Sequence, residues 1–394
     1  MTAAASTASV SRPVHLGALG VALGLIAAGC VVIGVTVSAK QTLLFAIGVA
    51  AGLVLYHAAF GFTSSWRELI AHGRGGGLRA QMLMLGVTTA VFVPLMAQGS
   101  VFGQAVRGSV APAGVPVMAG AFLFGIGMQL GGGCASGTLF SAGGGSIRMF
   151  ATLAAFIAGS ILGIRYTSVW ETAPALRPMS LLGEFGMAPA LLISLAAFTA
   201  IYGLSLTIER RRRGEIEPDR AAGSWRALNG PWTLAAGALG LAVVNIATLV
   251  VAGRPWGVTS AFALWGSKFL MGVGVDVAAW PYWQPAARAA DLQASVLRDV
   301  TSVMDLGIML GAFAAAALAG RFAPVWKVPA RSLGAAVLGG IMLGYGARIA
   351  FGCNIGAYFS GVASTSLHGW VWLAAAFTGN ILGTKLRPWF GLAV

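Results

Sequence analysis

The stretch Gly125-Ile126-Gly127-Met128-Gln129-Leu130-Gly131-Gly132-Gly133-Cys134-Ala135-Ser136-Gly137-Thr138-Leu139-Phe140-Ser141 returns 219 positions later, with Cys353 in the place of Cys134. The second copy reads Gly344-Tyr345-Gly346-Ala347-Arg348-Ile349-Ala350-Phe351-Gly352-Cys353-Asn354-Ile355-Gly356-Ala357-Tyr358-Phe359-Ser360. Glycines, Cys, Phe and Ser recur in register. After one inserted residue, Gly159-Ser160-Ile161-Leu162-Gly163 matches Gly379-Asn380-Ile381-Leu382-Gly383. Low-complexity apolar sequence matches itself by chance, but not with both cysteines in one register, so the pattern predicts a duplicated unit. In each copy an apolar helix runs into a glycine break, a Cys follows, and a short small-residue segment ends in turn formers.

Composition fixes the medium. Of 394 residues, 57% are hydrophobic and 9% charged, against about 25% charged in soluble domains. Such a chain cannot cover a water-facing surface. The 57 glycines show no G-X-Y period, so collagen, disordered tails and soluble enzymes are excluded. The expectation is an all-α, polytopic integral membrane protein of two repeated halves, with broken or re-entrant helices meeting at a central constriction. Apolar spans are predicted over 16–38, 42–60, 79–97, 117–133, 147–164, 187–207, 232–252, 259–279, 303–320, 332–350 and 369–384. The first is too long for a signal-peptide core and is followed at once by another. The organisation read from this is an added N-terminal transmembrane helix over 1–40, a first membrane repeat over 41–208, a basic linker over 209–230 and a second repeat over 231–394.

Lys and Arg outnumber Asp and Glu by 25 to 11. In a soluble protein that excess would suggest nucleic acid; here the basic residues lie between apolar spans and set topology instead. Arg210-Arg211-Arg212-Arg213 places the linker in the cytoplasm, and Glu215, Glu217 and Asp219 dilute the tract, so no nucleic-acid partner is expected. Three cysteines without C-x-x-C, and four histidines without H-E-x-x-H, support neither a zinc site nor covalent haem. Gly73-Arg74-Gly75-Gly76-Gly77 lacks the Lys-Ser/Thr of a phosphate loop. No metal or cofactor is expected.

Glycine permits unwinding, and broken backbone at membrane depth is tolerated only where it is buried in protein or lines a cavity. Each repeated Cys is therefore expected at a break near the midplane, facing its counterpart. Half-helix N-termini favour anions. A neutral S–H is a weak, polarisable donor that suits a soft sulfur-bearing anion. Cys134 and Cys353 are the expected substrate contacts. Gly133, Gly137, Gly352 and Gly356 would allow the backbone geometry, and Ser136, Thr138 and Asn354 would replace hydration. Arg348 reads equally as an anion attractor and as a group satisfying carbonyls; Gln129 holds its place in the first copy. Cys30, without a break or a copy, reads as a packing residue. Arg67 and Glu68 read as a local ion pair ahead of a helix cap or vestibule lining, Lys268 and Asp276 as span residues that pair or snorkel ahead of a proton relay, and Asp305 as an N-terminal helix charge. Trp280, Tyr282, Trp283, Trp370 and Trp372 read as an interfacial belt.

At these residues the sequence resembles the YeeE/YedE family of bacterial inner-membrane sulfur-compound transporters. The resemblance is carried by Gly132–Thr138 and Gly346–Ala357, with Asp276–Trp283 and Ser366–Trp370 also similar. It implies uptake of thiosulfate through a narrow constriction, passed between cysteine thiols by S–H contacts without covalent chemistry. Cys134 and Cys353 would be the constriction thiols, and a small cytoplasmic sulfur-carrier protein a partner. The family's early third Cys falls at Gly61 in Ala59-Phe60-Gly61-Phe62-Thr63-Ser64-Ser65-Trp66-Arg67-Glu68. Two further readings stand beside this one: transport of another sulfur or selenium species such as sulfite, sulfide or selenite, and a membrane thiol oxidoreductase using the Cys pair.

Overall fold

The computed structural model describes residues 13–216, 218–219 and 226–394. Parts of the expected N-terminal helix segment (1–12) and of the linker (217 and 220–225, including Glu217) lie outside the described residues. The described chain is mainly helical, with two short antiparallel ladders, Ser100–Val101 on Gln104–Ala105 and Ala113–Gly114 on Ala175–Leu176.

The first half contains α1 Leu16–Thr36, α2 Ala39–His57, α3 Phe62–His72, α4 Gly76–Gln98, α5 Val115–Gly131, α6 Ala135–Gly143 and α7 Ile147–Arg165. Two short helices, α8 Thr167–Glu171 and α9 Leu181–Phe185, lead to α10 Met187–Arg213. The second half contains α11 Leu234–Ala252, α12 Thr259–Gly272, α13 Ala286–Gln293, α14 Val300–Leu318 and α15 Ala330–Ile349. A π-type turn over Asn354–Phe359 runs into α16 Ser360–Ala363, and α17 Leu367–Leu386 follows.

Local signals set many of the ends. Ser38, Thr233 and Asp299 cap α2, α11 and α14 by accepting backbone N–H groups, which satisfies donors the first turn leaves free. Among the described residues nine helical stretches are long and apolar enough to cross a membrane. The chain is an all-α, polytopic membrane protein. The span expected over 259–279 is corrected: α12 stops at Gly272 after 14 residues, about 21 Å of helix against a core of about 30 Å. Val273 and Gly274 turn the chain back.

The halves interlock. α5 packs against α17 and α15 against α7, while α5 and α15 also pack on each other. A Cβ at Gly120 would stand 2.6 Å from the Gly346 carbonyl oxygen, and one at Gly346 would stand 2.5 Å from the Gly120 oxygen. Gly125 lies against the Ala376 carbonyl and Gly344 against that of Phe156; Gly159 meets Ile341 and Gly379 meets Phe122. In the register of the two sequence copies, the contacts of Gly125 and Gly344 are the same with the halves exchanged, and so are those of Gly159 and Gly379. Close backbone approach of this kind needs glycine.

The two ends of the molecule differ. Glu209 near the end of α10 accepts hydrogen bonds from the Arg79 guanidinium (2.5 Å) and the Gly75 N–H (3.0 Å). The starts of α4 and the Arg210–Arg213 tract therefore share one end, called here the basic end. The opposite end gathers the last turn of α4, the end of α11 and the 100–109 loop, where the Arg107 N–H donates to the Gly253 carbonyl.

Candidate functional site

Both cysteines sit where a helix is broken, and both are buried, Cys134 at 1% and Cys353 at 0% exposure. α5 ends at Gly131, Gly132 takes a positive φ of 93°, and Cys134 is the extended N-cap residue of α6. In the second copy Phe351 (φ 58°) and Gly352 (φ 145°) take positive φ, and Cys353 caps the π-type turn in an extended conformation. A Cβ at Gly133 would stand 3.0 Å from the Gly137 carbonyl carbon, and one at Gly352 would stand 2.9 Å from the Ala357 nitrogen. These two glycines let each break fold back onto its own helix. Both thiols are free and buried, and α6, which Cys134 caps, packs against the turn that Cys353 caps.

Hydrogen bonding separates the copies. Around Cys134, the sulfur lies 3.4 Å from Ser136 Oγ, and the Thr138 hydroxyl donates to the Cys134 carbonyl at 2.9 Å. Thr138 is thereby spent on the backbone. Gln129 donates to Asn380 Oδ1 and to the Thr63 carbonyl. Arg148 donates to the carbonyls of Gly131 and Leu130, at 2.7 and 2.6 Å, and so closes the end of α5. Around Cys353, the Ile355 N–H donates to the sulfur at 3.4 Å. Asn354 is wholly buried, yet neither its amide oxygen nor its nitrogen has a partner. Buried polar groups are otherwise nearly always paired, so Asn354 stands open for a ligand or water.

A cavity of about 470 Å³ opens onto the second break from the end opposite the basic one. Arg254, Arg288 and Arg348 line it with Thr259, Tyr282, Gly352 and Gly356, and Glu171 is its acidic group. Arg348 donates to Thr259 Oγ1 (2.8 Å) and Tyr282 Oη (3.4 Å), leaving its Nε without a partner. Of its two readings, neither bond goes to a backbone carbonyl. Gly356 faces Gly257 across the cavity floor. The loop before Gly257 is clamped by Asn245, which accepts from the Trp256 N–H, and by Ser360, which donates to the Trp256 carbonyl. At the basic end three other guanidinium groups cluster, Arg387 feeling the charges of Arg67 and Arg148.

The structure thus brings together Cys134, Gly133, Ser136, Gly137 and Thr138 at one break, and Cys353, Gly352, Asn354, Gly356 and Arg348 at the other. Sequence reading missed Arg254, Arg288 and Trp372, whose Nε1–H donates to the Gly352 carbonyl (3.2 Å). A usable signal existed for the cavity: Phe60-Gly61-Phe62-Thr63-Ser64 is echoed by Trp256-Gly257-Val258-Thr259-Ser260. Several assignments are corrected. Arg67 turns to Gln129 Oε1, while Glu68 pairs with Arg74 and His72. Asp276 lies beyond α12 and caps Ala279, and Lys268 donates to the Leu292 carbonyl. Trp283 and Trp372 are buried at 4% and 0% exposure, which removes them from an interfacial belt.

The chain matches the family model described as sulphur transport over residues 57–382. It is 34% identical over 146 residues to the probable transporter YedE of Escherichia coli, a match covering 36% of this chain and 35% of that one. It is 32% identical over 178 residues to the probable transporter YedE of Salmonella typhimurium, covering 43% of each. These matches span less than half the length of either relative. The thiosulfate transporter TsuA of Spirochaeta thermophila is 25% identical over 364 residues, 87% of this chain and 96% of that one. These are transporters rather than enzymes, and the chain belongs to the sulphur transport family.

Proposed function

We propose that this protein imports a small sulfur-containing anion, thiosulfate first, through a neck formed by the two cysteine-bearing breaks. The observation that carries the reading is the arginine-lined cavity, which ends on Gly352 and Gly356, the glycines on either side of Cys353. Cationic groups in a low-dielectric cleft concentrate anions. Beyond it, the neutral thiols of Cys353 and Cys134 would touch the anion's sulfur without repelling it, and the Asn354 amide would replace water. The likeness to a relative named as a thiosulfate transporter supports this substrate over others. Thr138 is left out of the contact set, because its hydroxyl is held by the Cys134 carbonyl.

By the positive-inside rule the Arg210–Arg213 end is cytoplasmic and the cavity faces outward, in the inner membrane of a bacterium. A small sulfur-carrier protein would collect the anion at the Arg67, Arg148 and Arg387 end. We read 41–208 and 231–394 as copies of one unit, with 1–40 an added helix and 209–230 a linker. The exchanged glycine contacts support that reading.

The test is uptake of labelled thiosulfate, against sulfate, sulfite and selenite, in cells lacking their own route. Thiosulfate uptake lost in Cys134→Ser and Cys353→Ser is the expected result. Uptake retained in both would end the proposed mechanism. A reversible Cys134–Cys353 disulfide required for turnover would favour the oxidoreductase instead.

A further inference from the structure

Asp305 lies in the second turn of α14, wholly buried, and neither carboxyl oxygen has a hydrogen-bond partner. Its place is inside the helix rather than at the capped end, which Asp299 occupies. A carboxyl inside a membrane is costly and marks function by default. The chain neutralises another buried carboxylate fully: Glu209, at 1% exposure, pairs with Arg79. Asp305 receives no such treatment.

Among the described residues no cation hydrogen-bonds to its carboxyl. The acidic group on its own helix is the cap residue Asp299, and α14 packs against α6, the helix that Cys134 caps. Arg254 is engaged with Thr301 (3.2 Å) and Asp299 (3.9 Å). α14 packs against α1, α2, α6 and α12, and against the short turn holding Arg298. On α12, Lys268 donates to the Leu292 carbonyl; on α2, Lys40 donates to Gln104 and His57 stands against Trp232. Cys134 caps α6, and α1 carries only Cys30. Beside Cys353 the amide of Asn354 is equally unpartnered.

A bare carboxylate there would repel an anion crossing the dehydrated neck, because like charges interact strongly at low dielectric. The same group with a proton is neutral and becomes a donor. We propose that Asp305 is the proton carrier of this transporter, so that each anion enters with a proton held on its carboxyl. The proton is taken from water in the outer cavity, forming an O–H bond on Asp305. That bond breaks on the basic side once the anion has left the neck, and the proton returns to water there. No electrons are exchanged. The proposal rests on the transport reading above.

The test uses the full chain in lipid vesicles at clamped zero potential, with labelled thiosulfate and a trapped pH dye. With the outside about one pH unit more acid, one proton per anion supports up to about tenfold accumulation of label. The dye should report acidification when thiosulfate is added. In Asp305→Asn, an uncharged isostere of the protonated acid, exchange of label against internal thiosulfate should persist while accumulation and dye signal vanish. Asp305→Glu should recover part of both. An Asp305→Asn protein that still accumulates label with the gradient overturns the assignment, as does wild-type exchange with no dye signal. Absence of exchange in the wild type overturns the transport reading itself, and the proton role with it.

Discussion

The two glycine–cysteine breaks each set an extended Cys at the start of a new helical turn, and they differ in what their side chains are doing. At the first, Gln129, Ser136, Thr138 and Arg148 are engaged with the protein. At the second, Asn354 and the Arg348 Nε are left open beside a cavity. Since the glycine contacts are matched, the difference arises from a few substitutions in register: Gln129 against Arg348, Gly132 against Phe351, Ala135 against Asn354. It teaches that matched glycine packing can carry a fully hydrogen-bonded polar set at one break and an open one at the other. Buried polar groups cost free energy unless paired, so the open set at the second break is the costlier of the two arrangements.

The backbone likeness can be broken most severely at the matched glycines. Gly125→Leu and Gly344→Leu should each cost about 3 kcal/mol or more through overpacking, because the new side chain meets the carbonyl oxygen of Ala376 or of Phe156. Loss of the monodisperse protein in both, by size-exclusion in detergent, is the expected result; loss in one alone would mean that the halves are not held equivalently.

The thiols come next. Cys134→Ala and Cys353→Ala should leave a folded protein and reduce labelled thiosulfate uptake by about tenfold or more, roughly the worth of one lost substrate hydrogen bond at each site. A clear inequality between them would show that the neck has one dominant thiol.

The sharpest separation of the copies uses their polar residues. Asn354→Leu removes an unpaired buried amide, so it should hold or raise Tm, by up to about 1 kcal/mol of stability, while uptake falls. Gln129→Leu strands its partners Asn380 and Arg67, so it should lower Tm by about 1–3 kcal/mol of stability. A thermal melt in detergent alongside uptake reads both, and Asn354→Leu melting early would erase the contrast. The smallest effect belongs to Arg254→Gln, on the half-exposed cavity wall. It should slow uptake about two- to threefold at low salt and less at high salt, as screening removes steering. Salt-independent slowing would remove the cavity's electrostatic role.

How much of this was readable beforehand follows from the physics of each signal. The repeat placed both cysteines at breaks, because a Gly-Cys string inside an apolar run has few other stable outcomes in lipid. Long apolar runs such as 147–164 became helices within a residue or two, α7 being Ile147–Arg165. The 259–279 run did not, because apolar composition shows where burial occurs but not whether lipid or protein provides it; its tail folds under Trp280 and Trp283 instead. Arg254 and Arg288 were hidden because the cavity is assembled from segments distant in the chain. α14 begins three residues before the expected 303, which turns Asp305 from an N-terminal helix charge into a buried acid. Trp372 looked interfacial by type, and only tertiary packing reveals that it holds Gly352.

The crosswise embrace of α5 by α17 and of α15 by α7 bears on how the polypeptide must come together. Neither α5 nor α15, the helices that run into the breaks, packs mainly on its own half, so a ribosome that has released only the first half has made something unfinished. Nicking the backbone in the hydrophilic stretch after α10 should leave two fragments that stay clasped. Made separately, each would wait, exposed, for the other.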